Sequence, residues 1–132
     1  MAPEDYPADL RYHREHDWAR VENGEATLGI TWYAQDSLGE LVHFEPPQEG
    51  QQVSVDQSYG EVESVKAVSD VISPLSGEVL EVNSKVVDEP ETVNADPYGE
   101  GWLVEISVQG EGGDPIGQLL DADAYQALVD AS

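Results

Sequence analysis

Hydrophobic and polar residues alternate along much of this chain with the two-residue period of β-strands. Residues 10–21 have a broadly extended pattern, and Trp18 is expected to lie in the core. Asn23-Gly24 is a strong turn signal, and residues 26–30 return as a second strand. The opening region therefore predicts a β-hairpin.

Two segments depart from this period and predict short helices. Thr31 suits the N-cap of a helix that runs to residue 38. Residues 119–129 place apolar side chains near helical spacing, and Asp121 or Asp123 would favour the start of that helix. A mainly β fold with short helices, one of them near the C-terminus, is expected.

The central part of the chain contains a short internal repeat. Residues 60–65 and 77–82 both begin with Gly-Glu-Val and both have Val at the sixth position. Each copy reads as a strand that begins at a turn, which favours a β structure with pseudo-twofold symmetry. Lys66 directly follows the first copy, at an expected hairpin tip. Further along, residues 102–108 alternate cleanly and predict a half-buried strand.

The chain is strongly acidic. Its 132 residues contain 5 Lys and Arg against 28 Asp and Glu, a formal charge of −23 that is spread over the whole sequence. Nucleic acid and anionic membrane surfaces would be repelled. Spread acidity is typical of a protein adapted to high salt, where charge repulsion is screened over about 3 Å at 1 M. A halophilic source is therefore expected.

The start of the chain and its apolar runs bear on its expected location. No run approaches the roughly 20 residues that span a bilayer. The acidic segment 1–5 lacks a basic or apolar signal pattern. These observations predict a cytoplasmic location and no membrane partner.

The residues available for chemistry are few. There is no cysteine, so thiolate nucleophiles and cysteine metal sites are excluded. No nucleophile–base pair or phosphate loop is evident, which argues against an enzyme. His13 and His16 are three apart in an apparently extended segment, which would place them on opposite faces, so no metal site is expected. Lys66 and Lys85 are the two lysines, and Lys85 reads as a solvated charge.

Several motifs, in the same order along the chain, give the sequence a family resemblance. The central motif is Gly-Glu-Val-Glu-Ser-Val-Lys-Ala-Val-Ser-Asp at residues 60–70. The outer motifs are His16-Asp17-Trp18, Ala-Thr-Leu-Gly-Ile-Thr at 26–31, Ser-Pro-Leu-Ser-Gly-Glu at 73–78 and Asn-Ala-Asp-Pro-Tyr-Gly-Glu-Gly-Trp at 94–102. With these motifs the chain resembles the H protein of the glycine cleavage system, a lipoyl carrier.

The resemblance implies a fold and a modified residue. The implied fold is a flattened β sandwich, or barrel-sandwich hybrid of the lipoyl-biotinyl type, as a single domain over residues 1–132. Lys66 would carry lipoic acid as a covalent amide. Biotin carriers place Met on both sides of the modified lysine, whereas the neighbours here are Val65 and Ala67. The resemblance therefore favours lipoic acid over biotin.

The resemblance also implies a function without catalysis by the chain itself. The carrier would take the aminomethyl group of glycine from a pyridoxal-phosphate glycine decarboxylase to a tetrahydrofolate-dependent aminomethyltransferase. Electrons would pass to dihydrolipoamide dehydrogenase, and a separate lipoylating enzyme would attach the cofactor. An H-like donor in lipoate relay and an H-like carrier in sulfur oxidation are the alternatives, and both would keep Lys66.

Other residues take their expected roles from the same resemblance. Asp17, just before the first Trp, would help to hold the ammonium group of the loaded arm, and Glu15 is a second candidate. Alternation in an extended strand would put Glu15 and Asp17 on the same side. Recognition by the lipoylating enzyme would involve Glu63, Ser64, Val65 and Asp70.

Overall fold

The computed structural model describes residues 6–108 and 119–131, and the acidic segment 1–5 lies outside them. Within these residues nine strands form two antiparallel sheets, accompanied by four short helices. The strands are β1 (Arg11–His13), β2 (Asp17–Glu22), β3 (Glu25–Ile30), β4 (Leu41–Glu45), β5 (Gln52–Val53), β6 (Ser58–Ser64), β7 (Val68–Ile72), β8 (Gly77–Val82) and β9 (Val104–Val108). The helices are α1 (Trp32–Leu38), α2 (Ser84–Asp88), α3 (Thr92–Ala95) and α4 (Ala122–Asp130). The predicted mainly β architecture is confirmed.

The two sheets share one apolar core. The larger sheet has the strand order β1-β2-β3-β9-β8-β5, and the smaller has the order β4-β6-β7. Leu28 and Ile106 of the larger sheet and Phe44 and Val62 of the smaller one belong to a single buried cluster. The inward-facing positions of both sheets thus exclude water together, which stabilises the fold and fixes the position of the β6–β7 hairpin.

The two copies of the repeat lie in different sheets. Residues 60–64 of the first copy lie in β6, and the second copy is β8. A Cβ atom on Gly60 would overlap the carbonyl oxygen of Glu45, and one on Gly77 would overlap that of Ser107. Both glycines therefore allow close approach of a neighbouring strand. The placement of one copy in each sheet agrees with the predicted pseudo-twofold symmetry.

The segment predicted as broadly extended, residues 10–21, is interrupted. A turn separates β1 from β2, and His16 in that turn has a φ of 75°. The two strands pair with each other, with Tyr12 opposite Trp18. The polar residues 14–16 form the turn, which the apolar pattern on either side concealed.

The predicted helices are present, with small changes at their ends. The Thr31 side chain accepts a hydrogen bond from the Ala34 backbone at 3.2 Å and caps α1, as expected. Of the two candidate aspartates, Asp121 caps α4 and Asp123 lies in its first turn. None of the helices in the described ranges is long and apolar enough to cross a membrane.

Two helices and the start of one strand differ from the expectation from sequence. α2 and α3 lie on either side of Pro90, which cannot continue a helix from the preceding residues. The strand predicted over 102–108 begins at Val104 because Trp102 ends a turn, with its amide donating to Gly99. Short helices of five and four residues leave too little periodicity to be read from sequence.

A second apolar cluster joins the start and the end of the described chain. Leu10, Tyr12, Trp18 and Tyr125 are fully buried in it. The backbones of Tyr12 and Leu120 exchange two hydrogen bonds, each of 2.8 Å. α4 is thereby held against β1, at the edge of the larger sheet.

Candidate functional site

Lys66 lies in the turn between β6 and β7, where the sequence predicted a hairpin tip. The two strands pair up to Glu63 and Val68, and residues 65–67 close the turn. The Lys66 side chain is exposed, and its neighbour Val65 is 84% exposed. A group attached to the Lys66 amine would therefore point into solvent, away from the fixed strands.

Ser64 holds this turn from the inside. Its side chain is only 4% exposed, and its hydroxyl oxygen accepts hydrogen bonds from the backbone amides of Lys66 at 3.2 Å and Ala67 at 3.1 Å. The Ser64 amide in turn donates to the Ala67 carbonyl at 2.8 Å. The turn thus closes through backbone and hydroxyl groups, which leaves its side chains free to face outward.

The outer face of the smaller sheet is acidic next to this turn. Glu61 lies between Glu45 on one neighbouring strand and Asp70 on the other, so three carboxylates form one cross-strand row. Glu63 is on the same face, opposite Val68. Of the residues predicted to guide lipoylation, Glu63, Val65 and Asp70 are exposed, and Ser64 is buried beneath them.

A groove between α1 and α3 lies close to the Lys66 side chain. The α1–α3 groove has a volume of about 450 Å³, and a Cβ on one of its lining residues, Gly39, would lie 3.7 Å from the Lys66 Cε. Its lining residues are Gln35, Asp36, Gly39, Glu40, Glu91, Asn94 and Ala95.

Asp17 is buried rather than open at a surface cleft. It is 2% exposed, and its carboxylate accepts a hydrogen bond from the Ile72 amide at 3.3 Å. Burial raises the pKa of Asp17 well above its usual value and outweighs that hydrogen bond. Burial also raises the pKa of Tyr59, and the nearby charge of Asp17 raises it further. The Tyr59 hydroxyl has no hydrogen-bond partner among the described residues. The interior polar pair of Asp17 and Tyr59 was not foreseen from sequence.

Glu15 is separated from Asp17 by the shape of the chain. It lies in the β1–β2 turn and is exposed, whereas Asp17 begins β2 and is buried. The expectation that both acids face the same side of one extended strand was wrong, because strand alternation does not continue through a turn. Glu15 is near enough for its charge to raise the pKa of Asp17 further, but only Asp17 is buried.

The three histidines have separate partners. His13 pairs with Asp56, and His43 pairs with Glu45 on the exposed face of β4. His16 lies in the same turn as Glu15, its Nδ1 is 2.7 Å from the Tyr125 hydroxyl, and its pKa is lowered by burial. In the part of the chain that the structure describes, no three His, Asp or Glu side chains are grouped to hold a metal ion.

Tyr125 connects α4 to the N-cap of α1. Its hydroxyl is 2.8 Å from the Thr31 hydroxyl as well as close to His16. No pattern in the sequence indicates this connection beyond the apolar face of α4, because Tyr125 is far along the chain from Thr31 and His16. The cap of α1, and with it one wall of the α1–α3 groove, depends on a residue from the last described helix.

Comparison with known proteins decides the family. The sequence model described as "Glycine cleavage H-protein" matches residues 10–132. The chain belongs to the glycine cleavage H-protein family. Glycine cleavage system H proteins from Alcanivorax borkumensis and Halorhodospira halophila are 50% and 53% identical to it, over 95% and 93% of this chain and 96% and 94% of theirs.

A solved structure supports the same H-protein assignment. The crystal structure of a glycine cleavage system H protein from Mycobacterium marinum matches with a TM-score of 0.87 and 39% identity. The match covers 95% of this chain and 99% of the other. The resemblance found from the motifs and the expected lipoyl-type barrel-sandwich fold are therefore confirmed.

Proposed function

We propose that this H-protein family member is a lipoyl carrier and that Lys66 bears lipoic acid as a covalent amide. The observation that supports it most directly is the exposed Lys66 side chain on a turn whose backbone is fixed by buried Ser64. The site fits the group because the Lys66 side chain is exposed and its neighbour Val65 is 84% exposed. When bound, lipoic acid supplies the sulfur chemistry that the cysteine-free chain lacks.

The residues around Lys66 present the amine and do not act on a substrate themselves. The β6 and β7 strands and the Ser64 hydroxyl set the direction in which the side chain leaves the fold. Glu63, Val65 and Asp70 are exposed on the same hairpin as Lys66, and we assign them to recognition by the lipoylating enzyme. Amide formation at Lys66 removes a positive charge from this acidic surface.

The proposed role is to move a group between enzymes. The carrier takes the aminomethyl group of glycine from glycine decarboxylase to the aminomethyltransferase, and electrons pass to dihydrolipoamide dehydrogenase. Tethering at Lys66 raises the effective concentration of the reactive group at each docked partner. The family match and the relatives named as glycine cleavage system H proteins support this role, whereas an H-like protein in lipoate relay or sulfur oxidation would also keep Lys66.

Lys85 offers a matched control for the modification. Its amine forms an exposed ion pair with Glu100 at 3.3 Å on a different part of the surface. In protein purified from its own source, peptide mass analysis is expected to find a lipoyl increment on the peptide containing Lys66 and none on Lys85. Lys66→Arg should abolish the increment, and Lys85→Arg should leave it unchanged. An unmodified Lys66 in cells that grow on glycine would refute the proposal.

The choice between carriers needs a second assay. The lipoylated protein is mixed with the decarboxylase, aminomethyltransferase and dihydrolipoamide dehydrogenase and with carboxyl-labelled glycine. Release of labelled carbon dioxide that depends on Lys66 supports the glycine cleavage role. Fully lipoylated protein that releases none would rule that role out and leave the alternatives.

A further inference from the structure

β7 is an edge strand of the smaller sheet, and it begins at Val68, two residues after Lys66. β6 pairs with one side of β7, and among the described residues no strand pairs with its other side. Val68 and Asp70 on this strand are exposed. The smaller sheet therefore has an uncovered edge beside the proposed attachment site, and such an edge is a template for a further strand.

Hydrogen bonds at the two ends of β7 show which of its backbone groups face outward. At the turn, the Ala67 carbonyl accepts from the Ser64 amide at 2.8 Å, so residue 67 faces β6. At the other end, the Ile72 amide donates to the Asp17 side chain at 3.3 Å and so faces away from β6. Because backbone groups alternate in direction along a strand, residues 68 and 70 also face away from β6.

Asp17 covers only the far end of this side of β7. It begins β2 in the larger sheet and takes up the outward amide of Ile72. Nearer to Lys66, the amides of Val68 and Asp70 have no hydrogen-bond partner among the described residues. We call the outward backbone groups of Val68 and Asp70 the open edge of β7. An extended segment laid along it would meet two amides and two carbonyls in strand geometry.

The side chains along the open edge indicate which segment would fit. Val68 and Asp70 lie on the outer face of the sheet, opposite Glu63 and Glu61 of β6. A cation opposite Asp70 would offset the repulsion between Asp70 and Glu61. An apolar side chain opposite Val68, which is 59% exposed, would remove apolar surface from water. Since residues on one face of a strand are two apart, the fitting segment has an apolar residue and a Lys or Arg separated by one residue.

The unmodified lysine limits which partner has to come this close. Before modification, only the Lys66 side chain extends from the turn, so the enzyme that forms the amide has to contact the hairpin itself. The later partners are met through the attached arm, which gives them greater reach. The open edge is adjacent to the turn, and therefore lies within the surface that a lipoylating enzyme must approach.

We propose that the lipoylating enzyme adds an extended segment to the open edge of β7, paired with the backbone of Val68 and Asp70. The segment carries an apolar and a basic side chain at alternate positions. Backbone pairing would fix its register against the turn, and the two side chains would select this hairpin over neutral edges. This inference rests on the proposed function, because it assigns how the enzyme that modifies Lys66 is bound.

Exchange of backbone amide hydrogens with solvent tests the pairing directly. Nitrogen-15-labelled protein without lipoic acid is studied by NMR alone and with the purified, unlabelled lipoylating enzyme in the absence of a lipoyl donor. Exchange at Val68 and Asp70 should slow by about tenfold or more in the complex. The alternate residues Ser69 and Val71 already face β6 and should change little. Asn23, in the exposed β2–β3 turn, is the control and should exchange at an unchanged rate.

Substitutions at position 70 separate the carboxylate from the backbone amide. Asp70→Asn removes the charge and keeps the amide, and should lower kcat/KM for lipoylation about twofold to fivefold. Asp70→Pro also removes the outward N–H, a change that edge strands tolerate, and should lower kcat/KM by about a further fivefold. Glu78→Gln, at an exposed acid of β8, is the charge control and should keep the parent value. Urea unfolding verifies that the variants are folded.

The outcomes separate this inference from the proposed function. Unchanged exchange at Val68 and Asp70, in a complex whose formation is verified by sedimentation, would overturn strand addition while the carrier role stands. If Asp70→Pro does not fold, this exchange pattern in the parent protein decides alone. Slowed exchange without the enzyme that increases with protein concentration would identify a second copy of the chain as the occupant and would also overturn it. A Lys66 that never receives lipoic acid would overturn both.

Discussion

The two Gly-Glu-Val copies are followed by opposite kinds of structure. Six residues after Gly60, Lys66 is exposed in a turn. Six residues after Gly77, Asn83 is 7% exposed, and its side chain donates to the carbonyls of Glu100 and Trp102 at 2.8 and 2.7 Å. The same strand motif thus ends in a free side chain in one sheet and in a fully bonded one in the other.

The difference follows from where each copy obtains its polar contacts. In the first copy, the buried hydroxyl of Ser64 closes the turn, so the side chains of the following residues are not needed to hold it. After the second copy, Asn83 caps α2 by accepting from the Lys85 amide at 3.1 Å and also holds the loop before β9. A repeated strand can therefore present a residue or anchor a loop, according to which neighbour supplies the hydrogen bonds.

The largest expected effect comes from the first residue of each copy. Gly77→Ala places a Cβ against the backbone carbonyl of Ser107, which cannot rotate away, so we expect about 3 kcal/mol of destabilisation in urea unfolding. Gly60→Ala meets the Glu45 carbonyl next to an irregular pairing between Ser58 and Gly60, and should cost less. Equal losses, or a loss well below about 1 kcal/mol at Gly77, would contradict this ordering.

Variants of the residue that directly follows each copy should separate effects on stability from effects on lipoylation. Asn83→Ala leaves the carbonyls of Glu100 and Trp102 without their donor and removes the N-cap of α2, so it is expected to reduce the free energy of unfolding by about 2 kcal/mol, with lipoylation unchanged. Lys66→Arg should change stability by less than about 0.5 kcal/mol and abolish lipoylation. Urea unfolding and intact mass measure the two effects. A stability loss at Lys66 as large as that at Asn83 would remove the distinction.

Asp17 makes the sheet that carries the first copy sensitive to pH. It accepts from Ile72 of β7, and burial raises its pKa above the ordinary value of 3.8. Between the ordinary and the raised pKa, the folded state keeps a proton that the unfolded state loses. The stabilisation that Asp17 contributes is therefore complete below its ordinary pKa, and it is lost as the pH rises through the raised pKa. Asp17→Asn should lack the decline and gain stability relative to the parent protein towards neutral pH.

Unfolding at a series of pH values checks this expectation. Glu49→Gln is the control, because Glu49 is exposed and this change removes the same charge at a position that does not shift the pKa of Asp17. A difference between Asp17→Asn and the parent protein that stays constant with pH would show that the carboxyl is not buried in protonated form.

A smaller effect is expected at the fourth residue after Gly60. Ser64→Ala removes the acceptor for the amides of Lys66 and Ala67, so we expect about 1 kcal/mol of destabilisation. The loosened turn should also slow lipoylation by a purified lipoylating enzyme. Ser69→Ala on β7, whose hydroxyl bonds the exposed carbonyl of Asp70, is the matched control. Lipoylation of Ser64→Ala at the rate of the control would show that the hydroxyl does not shape the turn for the enzyme.

The smallest effect concerns the second residue of each copy and depends on salt. Glu61 lies between Glu45 and Asp70, whereas Glu78 lies between Gln52 and Ser107. Glu61→Gln should raise stability by about 0.2–1 kcal/mol at low salt, and the gain should vanish near 1 M. Thermal melts with and without salt measure it, with Glu78→Gln as the control. A parent protein fully stable without salt would argue against the predicted adaptation to high salt.

Local signals in the sequence predicted much of the fold and the presented lysine. The Asn23-Gly24 turn, the Thr31 cap and the Gly-Glu-Val copies each act through neighbouring residues, and each is found in the structure. The β1–β2 turn and the burial of Asp17 both depend on contacts between residues that are far apart in the sequence. Hydrophobic periodicity reports on neighbouring residues and does not indicate such contacts. Asn94 was noticed as part of a motif, but its hydrogen bonds to Gln35 and Leu41 required the folded chain.

The hydroxyl of Tyr125 beside Thr31 has a consequence for how the molecule comes into being. The two residues are 94 positions apart, so at about 5–20 residues per second the ribosome needs roughly 5–20 s to make the second after the first. In the later part of that interval, once Ile72 has been added, the nascent chain already contains the Lys66 hairpin, while the start of α1 lacks its distant partner. The proposed attachment point is thus complete in sequence before the scaffold behind it can close.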